Sequence, residues 1–429
     1  MAFRARAEKS ESNWYKLDNA AKIYPAISGP GSGSIFRLAV QLKADVDPQI
    51  LQQALTIVTP RFPTLGVRMR RGLFWYFFES NPEIPQVTAE KSPPCRDIKP
   101  DENNGYLFRV SYYKKRISLE IFHALTDGTG ALIFLKTLVS QYLTLSGHGL
   151  FTDAGFLDCD DYPSVGETED SFRKYFDPKV KSKWIEEKAY HIAGTRMPPE
   201  YLGIVHGIIS LKDFLAVVKE KNATVTEYTA ALLIYSIYRT QLYRIKSNYP
   251  VKISIPVNLR NWFPSKTLRN FSSYVNAGVS FTDEEYTFDQ VLGSISEIMR
   301  SEVQPNRLVE KLSANVNAET NLFMRLAPLV LKNVVLRTAY NAYGENLFTS
   351  SFSNLGVIKL PEEMEKYVER FEFILGPPVS NLITCTACSF KNDMIMTFTK
   401  VMHETDIEKF FFRFLSEQGL DITIETSRG

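Results

Sequence analysis

The run RISLEIFH, Arg116–His123, alternates apolar and polar residues and stops at a polar turn, ALTDGTG. That turn opens a helix, Ala131–Leu145, whose only charge is Lys136. Side chains alternate across a strand, so Ile117, Leu119, Ile121 and His123 share one face and His123 ends it. A helix so apolar all round cannot lie on a surface and has to be covered on most sides. Together these features require a layered fold in which a strand feeds a buried helix across a short turn.

The rest of the chain repeats this alternation. Ser34–Leu42 reads as a strand with Phe36, Leu38, Val40 and Leu42 on one face. Asp47-Pro48 opens a helix to about Thr59, with proline at the first helical position, where its missing N–H is not needed. Two extended runs follow around Arg71-Gly72, and Tyr106–Tyr113 pairs with Arg116–His123 across Lys114-Lys115. Later strands are Tyr201–Ser210, Val251–Pro256, Tyr274–Phe281, Leu347–Phe352, Asn381–Ser389 and Met394–Lys400. Later helices are Thr226–Tyr243, capped by Thr224 or Thr226, then Thr287–Glu302, parts of Asn317–Tyr343, and Asp406–Gln418. Thr152–Pro199 reads as a solvated crossover: seven acids and no Lys or Arg from Asp153 to Asp170, then Arg173, Lys174, Lys179, Lys181, Lys183 and Lys188. The expected fold class is α/β, two layered domains of mixed sheets side by side: an N-terminal domain over 1–152, a crossover over 153–199 and a C-terminal domain over 200–429.

Composition removes several classes of function. Fifty Lys and Arg against 48 Asp and Glu leave a formal charge of +2, which argues against a basic nucleic-acid-binding face. Four Cys are too few for a disulfide framework. Cys385 and Cys388 form a C-x-x-C on a predicted strand, where residues three apart face opposite sides, and no second pair or nearby His completes a metal site. The segment after Met1 has no apolar leader, and the most apolar long stretch, Leu322–Leu336, is broken by Arg325, Pro328, Lys332 and Asn333, so no membrane span is expected. A reducing cytoplasm is the expected compartment. Gly31-Ser32-Gly33 lacks the strand–turn–helix frame of a nucleophile elbow. Of five His, only His123 falls at a strand end before an Asp-Gly turn; His148, His191, His206 and His403 read as structural or exposed.

Periodicity alone leaves two readings of that junction. His123 can be a satisfied core residue and Asp127 a helix cap, or the two can be a functional pair; Gly128 allows either close backbone approach or positive φ. The stretch FHALTDGTG, after a strand and before an apolar helix, resembles the H-x-x-x-D-G site of the chloramphenicol acetyltransferase-like superfamily. That superfamily includes the plant BAHD enzymes, alcohol acetyltransferases, wax ester synthases and nonribosomal peptide condensation domains. Phe122 stands where many members have a first His. ALTIVTPRFPTLGVRMRRG, TVTEYTAALLIYSIYRT, ISIPVNLRNWFPSKTLRNFSSY and SSFSNLG resemble further stretches of the same superfamily in the same order. The BAHD D-F-G-W-G motif is absent, so the alcohol acetyltransferase-like branch fits best.

The resemblance implies two chloramphenicol acetyltransferase-like domains in one chain, acting as a monomer, with the site at their interface. It implies His123 as general base, Asp127 and Gly128 as the loop-holding turn, and Arg260 as the ion-pair partner of Asp127. It also implies a strand exchanged between the domains, for which Asp393–Lys400 is the candidate. A neutral imidazole near pKa 6.5 suits a base for an alcohol, a weak nucleophile with its proton in place. Asn270, Ser272, Ser273, Ser353 and Asn354 are the candidate oxyanion donors. The implied reaction moves an acyl group, acetyl above all, from acyl-CoA as co-substrate to a small or lipidic alcohol, with no resident cofactor, metal or covalent enzyme intermediate. Two alternatives share the motif: a condensation-type enzyme with a carrier-protein donor, and a non-catalytic acyl-CoA-binding protein.

Overall fold

The computed structural model describes residues 14–27, 34–99, 101–151, 155–180, 186–199, 201–243, 245–282, 285–320, 326–376 and 381–427. Gly31-Ser32-Gly33, Lys181, Lys183, Ser380 and the start of Leu322–Leu336 lie outside them. Two large sheets organise the described residues. The first has five strands: β2 (Ile35–Leu42), β5 (Val87–Ala89), β6 (Phe108–Tyr113), β7 (Arg116–Phe122) and β12 (Val368–Leu375), in the order β12-β2-β7-β6-β5. The second has seven: β8 (Gly203–Ser210), β9 (Val251–Asn258), β10 (Ser272–Val279), β11 (Ser350–Ile358), β13 (Ile383–Phe390), β14 (Asp393–Lys400) and β15 (Ile422–Thr426). Their order is β10-β9-β11-β13-β14-β8-β15. β1 (Trp14–Lys16), β3 (Val67–Arg71) and β4 (Tyr76–Ser80) form a small third sheet. Both large sheets are mixed, since β5 runs parallel to β6, and β11 parallel to β9 and β13, among antiparallel pairs.

Each large sheet carries its own core, as the α/β expectation of two layered halves requires. The helix Gly128–Leu145 packs against the five-stranded sheet, with Phe134, Leu135, Leu138 and Val139 fully buried. The helix Val225–Ile237, held at its start by a reciprocal Thr224–Glu227 capping box, fills the core of the seven-stranded sheet. The two cores meet at β13. Cys385 faces one and Cys388 the other, so the C-x-x-C is a pair of buried packing residues pointing apart. Burial pushes both thiols up, Cys388 to about 12.

One expectation needs correction. The strand that crosses between the halves is β12, not Asp393–Lys400. β12 follows Met364 in the chain yet pairs antiparallel with β2, Phe373 opposite Leu38 and Phe371 opposite Val40. β14 instead lies inside the seven-stranded sheet between β13 and β8, buried on both faces from Met394 to Lys400, which is why its apolar content is high. The crossover is exposed over much of its described length and is also tied to the fold. Glu167 forms an ion pair with buried Arg61 (2.6 Å), its backbone carbonyl accepts from Leu268 N–H, and the Ser171 and Ser265 hydroxyls are 2.7 Å apart. A charge-rich stretch with proline punctuation therefore straps the N-terminal half to the 259–271 segment.

If β12 fastens the halves, Phe373→Ala, which removes a ring packed edge-on to Phe36 (6.4 Å), costs about 3–5 kcal/mol of unfolding free energy in urea titrations.

Candidate active site

The turn after β7 is built by a dense set of hydrogen bonds. His123 N–H donates to Ser34 O (2.8 Å), the last rung between β7 and the approach to β2, and Leu125 N–H donates back to Phe122 O (2.9 Å). The chain then reverses into the helix Gly128–Leu145. Asp127 is its N-cap: Oδ1 accepts from Thr129 N–H (3.1 Å) and Gly130 N–H (3.2 Å). Its other oxygen, Oδ2, accepts from Arg260 Nη1 (2.7 Å) and Phe271 N–H (2.8 Å). The remaining guanidinium hydrogens go to Asn258 Oδ1 (3.3 Å), to Thr267 O from both Nε (3.0 Å) and Nη2 (2.9 Å), and to Arg269 O (2.6 Å), so the fork is filled. One buried carboxylate thereby joins the helix of the first half to the 258–271 segment of the second. The structure thus brings Asp127 and Arg260 together.

The glycines of the turn act through close approach. A Cβ on Gly130 would lie 2.2 Å from both Leu268 O and Thr126 Oγ1, so the helix start is in backbone contact with the second half. Thr126 Oγ1 donates to the same carbonyl (2.5 Å). At Gly128 a Cβ would meet the Leu355 side chain at 2.7 Å; φ there is not positive, so of its two expected uses only close approach applies.

His123 sits half-buried with its ring stacked on Tyr24 (centroids 4.7 Å, planes 14° apart) and edge-on to Phe36 (5.1 Å). Its Nδ1 is 3.1 Å from Asn270 Oδ1. The Asn270 amide nitrogen donates in turn to Asp18 Oδ2 (3.3 Å), while Asp18 Oδ1 accepts from Ala21 N–H (2.7 Å) and Arg269 Nε lies 3.7 Å from Oδ2. These contacts assign the tautomer. A carboxylate accepts only, so the Asn270 NH2 faces Asp18 and its oxygen faces His123; Nδ1 then carries the proton and Nε2 the lone pair. Burial lowers the His123 pKa below the usual 6.5, opposed by its own backbone carbonyl, the Asp127 charge and Asn270. Burial raises Asp18 to about 6 against the pull of Arg269.

Asn270, a candidate oxyanion donor from sequence, has its amide engaged on both sides by His123 and Asp18, a placement that orients the imidazole. Ser353 and Asn354 lie on β11 at an irregularity in its pairing with β13, between Asn354 and Val357. Asn354 Oδ1 accepts from Gly356 N–H (2.8 Å), and the intervening Leu355 reaches Gly128, so this bulge abuts the start of the helix. Ser272 and Ser273 pair in register with Asn258 and Val257 between β10 and β9. His148 stacks on Tyr367 (4.2 Å) and His206 Nδ1 meets Thr397 Oγ1 (2.8 Å), both away from His123. Asp18, Tyr24 and Gly130 carried no recognised signal in the sequence; for Asp18 the only hint is a cap-like Asp before Asn-Ala-Ala. Among the described residues no group of three or more His, Cys, Asp or Glu could hold a metal ion.

The two large sheets and their helices form a fold of the kind seen in condensation domains and in a trichothecene acetyltransferase. A model of the alcohol acetyltransferase family matches residues 208–373, which run from the end of β8 to most of β12. Trichothecene 15-O-acetyltransferase TRI3 from Fusarium sporotrichioides superposes with a TM-score of 0.60 at 11% identity, over 96% of each chain. Polyketide synthase associated protein 5 from Mycobacterium tuberculosis gives 0.60 at 12% identity, over 94% of this chain and 96% of that one. A starter condensation domain of rhizomide synthetase, solved with C8-CoA and Leu-SNAC, gives 0.60 at 13% identity, over 94% of each. No curated protein matches the chain by sequence.

The Asp18 environment sets a sign for stability. With a folded pKa near 6, above the usual 3.8, the folded chain holds a proton between about pH 4 and 6 that the unfolded chain releases, so the Asp18 contribution falls as pH rises through that window. Asp18→Asn removes the fall: relative to wild type, its unfolding free energy in urea improves from pH 4 to pH 7. A difference that does not change with pH counts against this environment.

Proposed function

We propose that this chain is an acyltransferase that moves an acyl group, acetyl above all, from acyl-CoA to an alcohol hydroxyl, with His123 as general base. The observation that supports this most is the His123–Asn270–Asp18 arrangement. It leaves a neutral imidazole with its lone pair on Nε2, at a turn where residues of both halves converge. The alcohol O–H gives its proton to Nε2 as its oxygen attacks the thioester carbonyl carbon. The tetrahedral intermediate collapses, the C–S bond breaks, and the departing thiolate takes the proton from Nε2, so the imidazole is regenerated without a covalent enzyme intermediate. Such base assistance is typically worth about 10²–10⁴-fold. Asp127 and Arg260 hold the turn, and Gly130 lets the second half close against it.

An oxyanion donor contributes about 10²–10³ in rate, and Ser353 or Asn354 fills that role in this reading because the Asn270 amide is committed elsewhere. The alcohol acetyltransferase model and the O-acetyltransferase TRI3 favour an alcohol acceptor; the C8-CoA complex of a condensation domain favours CoA as donor. Condensation domains at the same TM-score keep a second reading in play, a carrier-protein-bound donor with an amine or alcohol acceptor. An acylated carrier protein that reacts where acyl-CoA does not would select it.

His123→Ala lowers thiol release from acetyl-CoA, with an alcohol present, by at least about 10²-fold. Because the lone pair must be free, wild-type rate rises with pH through a midpoint below the usual imidazole 6.5 and is flat above. Unchanged release in the variant sinks the assignment of the base.

A further inference from the structure

A cavity of about 590 Å³, within the usual size of small-molecule sites, opens between the 14–22 segment, the β3–β4 hairpin and the helix Pro305–Thr320. Its walls include the aromatic rings of Trp14, Phe74, Trp75 and Phe77, together with Leu17. The rings are held in place. Trp14 packs edge-on to Phe77 (6.4 Å, 82°), and Lys332 Nζ and Lys22 Nζ lie over the Trp75 ring at 3.8 and 5.3 Å. Aromatic walls favour a flat ring over a flexible chain, because ring–ring contact adds to area burial.

Two cations of the wall, Lys22 and Arg173, are engaged by carboxylates, and Lys16 lines the cavity as well. Glu319 takes Lys22, Arg173 (2.6 Å) and the Asn19 amide (2.8 Å), and Arg173 also reaches Asp170 (3.4 Å). The cavity is also tied to the site. Lys22, in its wall, is two residues from Tyr24, at most about 7 Å along the chain, and Tyr24 is stacked on His123. Leu17, in the same wall, precedes Asp18.

We propose that this cavity binds the ring body of a ring-bearing alcohol, and that this alcohol is the acceptor; the second part rests on the acyl-transfer reading above. The test compares 2-phenylethanol with open-chain 1-heptanol, using calorimetric binding to the full chain and thiol release from acetyl-CoA. Trp75→Leu keeps an apolar wall but removes the flat one, and Phe74→Ala alters a ring already 40% exposed, so the fold is spared. Wild type binds 2-phenylethanol more tightly than 1-heptanol. In both variants its Kd and KM rise together by about tenfold while kcat holds. Equal binding of the two alcohols, or unchanged Kd in both variants, overturns the cavity as a ring site. A weakened Kd with unchanged KM overturns its role as the acceptor site. Ring-dependent binding with no turnover of any alcohol is the separate failure of the acyl-transfer reading, and it takes the acceptor role with it.

Discussion

The two oxygens of the Asp127 carboxylate serve different halves of the chain. Oδ1 caps the buried helix that begins at Gly128, and Oδ2 holds Arg260 and the Phe271 N–H from the other half. Both partners of the ion pair are nearly buried, so neither oxygen has water as a substitute, and removal of one partner leaves a charge stranded at a cost of about 3–5 kcal/mol. The consequence reaches His123. Asn270 precedes Phe271, whose backbone Asp127 grips, so the residue that orients the imidazole is placed by the same contact that joins the halves. The turn is thus a structural lock whose by-product is a directed histidine.

Local signals in the sequence were sufficient for much of this. The alternation of RISLEIFH, the cap position of Asp127 and the unbroken apolar helix are short-range patterns, and the structure reproduces the strand, the turn and the helix with the helix starting one turn earlier. The Arg260 ion pair spans 133 residues and came from resemblance alone. What sequence could not supply depends on long-range pairing. Asp18 meets Asn270 across 252 residues, and nothing in KLDNA marks that partner. β12 was missed because VERFEFIL reads as a strand only once β2 is beside it, whereas DMIMTFTK, buried on both faces, mimics an exchanged strand by its alternation alone. The crossover is exposed over much of its described length, as its charge predicts, but its tie to the fold through Glu167 and Arg61 is a long-range contact that charge patterning does not signal.

The N-terminal segment links the candidate site to the aromatic cavity. It lends Trp14 and Leu17 to the cavity, Asp18 to the chain of contacts behind the imidazole, and Tyr24 to the face of the ring. A burial that pushes Asp18 toward its neutral form works against stability at neutral pH, while the charged form is the better acceptor for the Asn270 amide. Such a conflict between stability and orientation is expected where a buried group serves a site.

The central claim is that Asn270, fixed by Asp18, keeps the His123 proton on Nδ1 and the lone pair on Nε2. Imidazole ¹⁵N chemical shifts of His123, assigned by comparison with His123→Ala at pH 7, test it directly. The account predicts a protonated, pyrrole-type Nδ1 and an unprotonated, pyridine-type Nε2, with the pattern blurred in Asn270→Leu. A protonated Nε2 in the wild-type chain would contradict it.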